Sequence, residues 1–322
     1  MLKKVFLLAV LLFSSLSCVS AVDLLSLAPE STSFVINVNF EKMMSSEALK
    51  KQVEENMAKQ TPEQKKAFEE FITKTGIDPF KSIKGLLVFV STKIDEKTQK
   101  PDAAVLIDGT FEIEKVLAAI KADPKASADA VIEKFEGFDC IKGKKTGEGI
   151  GVFLDANSAV IGNEGSVKTV IDIKKGAGKS MKTNPNLEAL LKKADTAATI
   201  WGAGLIPPQV KEQAKNNPQM QPLAAVNALF FSFNYDKEIA FDFTGEIDKK
   251  ESLEGVMTSL NGFLAMVKMM AGQSPEAAQI LNLIKVEGAE TTAKISLRVP
   301  QTTLDEIKKK IEEKIKLPPA AK

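Results

Sequence analysis

Apolar and polar residues alternate over residues 33–40 (SFVINVNF), which puts Phe34, Ile36, Val38 and Phe40 on one side of an extended chain. A period of two is the mark of a half-buried strand. The period then lengthens. Leu49, Val53 and Met57 recur at four-residue spacing from about Ser46, and a second helix is bounded by Thr61, Pro62 and Gly76 as N-cap, first residue and stop. Apolar runs at 86–91 (LLVFVS) and 103–107 (AAVLI) predict two strands, followed by a helix over 111–122. A hairpin-like region from about Phe138 to Asn163 leads into a short helix over 165–175 that Gly176 closes.

From residue 196 the order begins again. Residues 196–201 (TAATIW) read as a strand and are followed by a Pro-broken helical stretch. Residues 228–235 and 238–245 make a tight hairpin around Asp236-Lys237. A long apolar helix near 252–271, a shorter one opened by Ser274-Pro275-Glu276, a strand over 292–299 and a last helix complete the chain. In that last helix Thr303 and Glu306 have capping-box spacing, and Leu304, Ile307, Ile311 and Ile315 form its apolar stripe.

The second round matches the first residue by residue. Pro79-Phe80-x-x-Ile83-x-Gly85-Leu86-x-Val88-x-Val90 aligns without gaps on Pro222-Leu223-x-x-Val226-x-Ala228-Leu229-x-Phe231-x-Phe233. Self-similarity of this kind marks a duplicated supersecondary unit. The expected fold is therefore α+β, with two related halves at 28–195 and 196–317. Each half is expected to be a largely antiparallel sheet with helices packed on one face.

The N-terminal segment changes where such a protein is expected. Lys3 and Lys4, the apolar run 5–13 (VFLLAVLLF) and Val19-Ser20-Ala21 have the three parts of a secretory signal peptide, cleaved after Ala21. A lipid-attachment box at Cys18 is the alternative, but in Ser15-Leu16-Ser17-Cys18 the leucine stands one place too near the cysteine. The expected location is secreted or periplasmic, with no transmembrane segment in the mature chain. No Asn-x-Ser/Thr sequon occurs, which favours a bacterial exported protein.

A resemblance fits this picture. Ala28-Pro29-Glu30-Ser31-Thr32-Ser33-Phe34-Val35, the Gly76-Ile77-Asp78-Pro79-Phe80 turn, Gly151–Asp155 with Ala159–Gly162, and Asn184-Pro185-Asn186-Leu187 resemble exported bacterial proteins of a domain-of-unknown-function type, over most of residues 28–205. The resemblance implies an envelope location and a duplicated α+β build, and it supplies no catalytic residues.

Charge excludes a class of partner. Lys and Arg number 43 against 42 Asp and Glu, so the chain has no global field that would draw it to nucleic acid. The absence of histidine excludes more. It removes Ser-His-Asp and Cys-His catalysis, histidine zinc sites and the usual general base near neutral pH.

What remains is weaker. Gly176-Ala-Gly-Lys-Ser180 lacks the first glycine of a phosphate loop, since Ile173 stands there, and it follows a helix rather than a strand. Gly147, Gly149 and Gly151 fall in a strand run, not at a helix start. Cys140 has no histidine or helix N-terminus to activate it and reads as an inert, partly buried thiol, with a thiolate favoured by Lys142, Lys144 and Lys145 as the alternative. Asp155-Ala-Asn157 lacks the rest of a calcium loop, and the paired glutamates sit among lysines on helix surfaces. Phe231, Phe233, Tyr235, Phe241 and Phe243 share one hairpin face and read as core before platform.

No cofactor and no metal are expected. The sharpest candidate is apolar. Met257, Leu260, Phe263, Leu264, Val267 and Met270, in an uncharged stretch over 255–267 and the turn that follows, form either a buried central helix or the wall of an apolar pocket or partner groove. The expected function is an exported envelope protein that acts by binding or structural interaction with an envelope protein. The alternative is a periplasmic carrier of lipid or another apolar small molecule, held between the sheet and that helix, and a hydrolase using paired carboxylates is a third class.

Overall fold

A computed structural model describes residues 23–94, 101–145, 149–217, 221–272 and 274–316. The signal-peptide segment, with Cys18 and Ala21, lies outside the described residues, as does Gly147. The described strands are β1 (Thr32–Asn39), β2 (Ile83–Ile94), β3 (Pro101–Gly109), β4 (Ala130–Phe135), β5 (Phe138–Gly143), β6 (Ile150–Asp155), β7 (Ser158–Gly162), β8 (Ile200–Leu205), β9 (Val226–Tyr235), β10 (Glu238–Ile247), β11 (Lys285–Ala289) and β12 (Thr292–Pro300). They form one 12-stranded sheet in the order β11-β12-β10-β9-β8-β1-β2-β3-β7-β6-β5-β4. Every pairing along it is antiparallel.

Twelve helices accompany the sheet among the described residues. The first four are α1 (Phe40–Ser45), α2 (Glu47–Ala58), α3 (Pro62–Thr75) and α4 (Pro79–Ser82). Next come α5 (Ile113–Ala122), α6 (Pro124–Asp129), α7 (Glu164–Lys174) and α8 (Pro185–Leu191). The last four are α9 (Pro208–Lys215), α10 (Lys250–Ala271), α11 (Pro275–Leu281) and α12 (Gln301–Lys316). Local chemistry sets several of their bounds. Thr61 and Gln64 form a reciprocal capping box at the start of α3, and Gly76 ends it at φ 72°, a left-handed conformation that glycine adopts without steric cost. Ser46, Asn163 and Ser274 cap α2, α7 and α11 with their side-chain oxygens.

The two predicted segments share this sheet instead of each closing a sheet of its own. The boundary at residues 195 and 196 falls just before β8, and β8 bonds directly to β1, with Val35 opposite Ala203 and Asn37 opposite Trp201. The aligned Pro79 and Pro222 segments run into β2 and β9, which flank that central pair on opposite sides. Their matching residues, Leu86, Val88 and Val90 in one and Leu229, Phe231 and Phe233 in the other, point to the same face of the sheet.

Helices lie on both faces, which corrects the expectation of one. On the first face, Val167, Val170 and Ile171 of α7 and Leu187 and Leu190 of α8 join one buried cluster with Val35, Leu87, Phe89, Leu106, Val152, Val160 and Trp201. Leu24, Leu27 and Met181 complete its cover. On the second face, Met257 of α10 lies against Gly288 of β11, and a smaller cluster forms from Val226, Ile247, Val256 and Ala293. The central buried helix expected near 252–271 is thus a peripheral one, with Val256 its buried residue.

Other boundaries moved for local reasons. Residue 35, between Ser33 and Asn37 in the polar phase of the first strand, is a fully buried valine, because it joins the cluster on the face that α7 and α8 cover. The strand read at 196–201 begins at Ile200, since Ala197 and Ala198 turn onto Asp195. The last helix starts at Gln301, so Thr303 sits inside its first turn and caps nothing. Strands β4 and β11 were not foreseen. As the two edges of the sheet they carry Glu133, Lys134, Lys285 and Glu287, and charges of this kind both hide the alternation and guard an open edge.

Candidate functional site

The register permits one row of residues to be followed across all twelve strands on each face. On the first face, from β11 to β4, the row is Lys285, Ser296, Asp242, Ser232, Trp201, Asn37, Leu87, Leu106, Val160, Val152, Cys140 and Glu133. It is polar over β11, β12, β10 and β9; beyond them Trp201 and, past Asn37, Leu87 to Cys140 are buried where α7 and α8 cover the sheet, and the row ends on exposed Glu133. On the second face the row one residue along is Val286, Ile295, Phe243, Phe231, Gly202, Ile36, Val88, Val105, Ile161, Gly151, Ile141 and Ile132. No member of this second row is charged or polar, yet only Gly202 is fully buried and Ile161 is 50% exposed.

An apolar sheet face this wide normally lies under another layer. Here the cover is partial. Phe34, Val90, Phe233, Phe241 and Leu297, in the neighbouring rows, are likewise only half-buried. At the centre, Gly202 and Gly204 of β8 make room for the rings of Phe231 and Phe34. A Cβ on Gly204 would stand 2.8 Å from the Ser33 carbonyl oxygen and collide with the Phe34 ring. The rings of Phe231 and Phe241 lie 6.4 Å apart, tilted by 37°. Toward one end of the face Tyr235 lies in a cleft of about 240 Å³ between α2 and α12, helices that Glu55 and Lys308 join at 3.0 Å. Phe111, just before α5, packs on Phe153 at 5.4 Å.

The six residues singled out on α10 divide in two. Met257 and Leu260 pack onto the small cluster of Val226, Ile247, Val256 and Ala293, filling the space beneath the first half of the helix. Leu264 and Val267 continue that inward stripe half-buried. Phe263 and Met270 point away from the sheet, 62% and 70% exposed, beside Met266 and Met269. Two apolar surfaces thus remain in part accessible, the partly covered sheet face, with Leu264 and Val267 near one end of it, and the outward side of α10 at Phe263, Met266, Met269 and Met270. The residues that the pattern did not single out, Ile36, Val88, Val105 and Ile161, belong to the sheet face. For Val88 and Val105 the signal was present in LLVFV and AAVLI, which are apolar in both phases and so predict strands with two apolar faces, and Ile36 stood in the apolar phase of 33–40.

The groups considered for chemistry are otherwise engaged. Cys140 is fully buried on β5, where burial first and then the Glu133 carboxylate push its thiol up, and Lys142 is held by Glu164 at 2.8 Å and Glu133 at 3.4 Å. Asp155 accepts from the Asn157 amide and the Ser158 hydroxyl, each at 2.8 Å, and from Lys174. Burial pushes its carboxyl up, but these bonds outweigh it and hold the group below the ordinary value. In the Gly176 segment the amides of Ala177 and Gly178 donate to the Asp172 carbonyl, closing α7 and leaving no phosphate cradle.

On the polar part of the first face Asp242 pairs with Lys294 at 3.0 Å and with Arg298. Burial alone would push its carboxyl up, but the two cations hold it down. Among the described residues no cluster of three or more Cys, Asp or Glu could hold a metal, and no helix is long and apolar enough to cross a membrane. Comparison with known proteins finds no matching family model, no matching curated protein and no matching solved structure.

Proposed function

We propose that this chain binds an apolar ligand, such as an acyl chain, against the second face of its sheet, and that it acts by binding and not by catalysis. The observation that carries the reading is the row from Val286 to Ile132. It spans twelve strands without a polar side chain and is only partly covered. Burying apolar surface is worth about 25 cal/mol per Å², so the part of this face that remains accessible to water carries a cost that a bound apolar molecule would offset. The five phenylalanines at 34, 231, 233, 241 and 243 supply wide, flat contacts that tolerate a flexible chain. An envelope location, cleavage after Ala21 and descent of β1–β3 and β8–β10 from one duplicated unit belong to the same reading. The matched residues on β2 and β9 favour the duplication.

The test is fluorescence of N-phenylnaphthylamine, a probe that brightens in apolar surroundings, with oleate as competitor. The folded protein is expected to brighten the probe saturably and oleate to reverse it. The double change Phe231→Ser and Phe243→Ser is expected to weaken binding at least about tenfold, as loss of two large apolar contacts implies. Mass spectrometry of the native protein should show a retained lipid-like mass. A flat titration together with no retained ligand overturns the proposal.

A further inference from the structure

A second site lies on the other face, independent of the apolar surface. A cavity of about 470 Å³ opens over the polar end of the sheet, lined by side chains of β10, β11 and β12 and by Asn282 and Leu283, which follow α11. That volume falls within the range of small-molecule sites. Beside Glu287 of β11, its polar groups fall into two sets. Asp242 forms ion pairs with Lys294 and Arg298, and Arg298 Nη1 also donates to the carbonyls of Phe241 at 3.0 Å and Leu297 at 2.9 Å. Lys285, Ser296 and Asn282 form the second set. Lys285 stands directly opposite Ser296 in the β11–β12 register, and Asn282 borders the same space. The side chains of these three make no hydrogen bond or ion pair among the described residues.

An ammonium, a hydroxyl and an amide thus face one cavity with donors to spare. Two carboxylates line the cavity: Asp242 is paired by Lys294 and Arg298, and Glu287 stands opposite Lys294, two residues from Lys285, so the lining carries Lys285, Lys294 and Arg298 against Asp242 and Glu287, one cation in excess. Leu283 adds one apolar wall. We infer that Lys285, Ser296 and Asn282 form a binding site for a small oxyanion, a carboxylate or a phosphate. Lys285 would supply the charge, while the Ser296 hydroxyl and the Asn282 amide donate to its oxygens.

The experiment is calorimetric titration of the whole chain with inorganic phosphate and, separately, with succinate, at fixed ionic strength. Saturable binding of at least one is expected, and which one binds distinguishes phosphate from carboxylate. Lys285→Gln is expected to weaken it about tenfold or more, and Ser296→Ala about threefold. Lys81→Gln, a solvent-facing change far along the chain on α4, should leave it unchanged. Lys285 is exposed on an edge strand, so its replacement should keep the far-ultraviolet circular dichroism of the parent. No saturable binding of either anion, equal binding by Lys285→Gln, or equal loss in Lys81→Gln overturns the inference. The Phe231→Ser and Phe243→Ser variant should bind the anion normally, so this site and the apolar face can fail separately.

Discussion

Val105 and Leu106 are neighbours on β3 and meet opposite fates. Leu106 enters the first face, where α7 packs over β3, β6 and β7, and it is fully buried. Val105 enters the second face, between Val88 and Ile161, and stays half-buried. The residues on the two faces here are alike in hydrophobicity, so composition does not explain the difference. What differs is how complete the covering layer is: α7 and α8 seal the first face, whereas the second is covered only in part.

That comparison is most directly broken by truncation on each face. Leu106→Ala removes a fully buried side chain and is expected to cost about 3 kcal/mol in urea unfolding, whereas Val105→Ala should cost less than about 1 kcal/mol. Equal losses would mean that the second face is packed after all. A smaller effect is expected at the seam between β1 and β8. Gly204→Ala forces a methyl against the Ser33 carbonyl and the Phe34 ring, and should destabilise by about 2 kcal/mol, showing that close approach and not cover organises the centre of the open face.

On the polar end of the first face the effect should be smaller again and depend on pH. Asp242→Asn removes the pairs with Lys294 and Arg298 and is expected to cost about 1 kcal/mol or less at neutral pH. The folded-state carboxyl is held below its ordinary value. Its contribution is therefore present above the unfolded carboxyl range near 3.9 and is lost as pH falls through the folded value. Stability curves of parent and variant should converge on acidification, and curves that stay parallel would remove the ion pairs from the account. Smallest of all, Ile161→Ser at a half-exposed position should shift stability by about 0.5 kcal/mol or less while lowering N-phenylnaphthylamine binding. A large stability loss there would place Ile161 in the core.

Much of the local structure was legible in the sequence. Ser46, Thr61, Gly76, Asn163 and Gly176 mark helix ends in the structure because capping and left-handed turns depend on neighbouring residues alone. The hairpin around Asp236-Lys237 was legible for the same reason. The edge strands β4 and β11 were not, since their charges answer to solvent at the end of a sheet that only the fold defines. The candidate on α10 was half legible. The apolar run was plain, but Met257 and Leu260 turned inward and Phe263 and Met270 outward, because the helix lies across a sheet end and is not enclosed.

By itself the sequence determined which residues could share a face, where helices stop and start, and that histidine chemistry is absent. A period of two or of 3.6 is a property of the backbone, and it needs no distant contact. The tertiary structure decided that β8 joins β1 and makes one sheet of twelve strands, that α7 and α8 cover one face, and that the other is covered only in part. Those outcomes depend on contacts between segments far apart in the chain, such as Val35 with Ala203 and Leu106 with Val160. Alternation tells which side chains point together and is silent on what, if anything, lies against them.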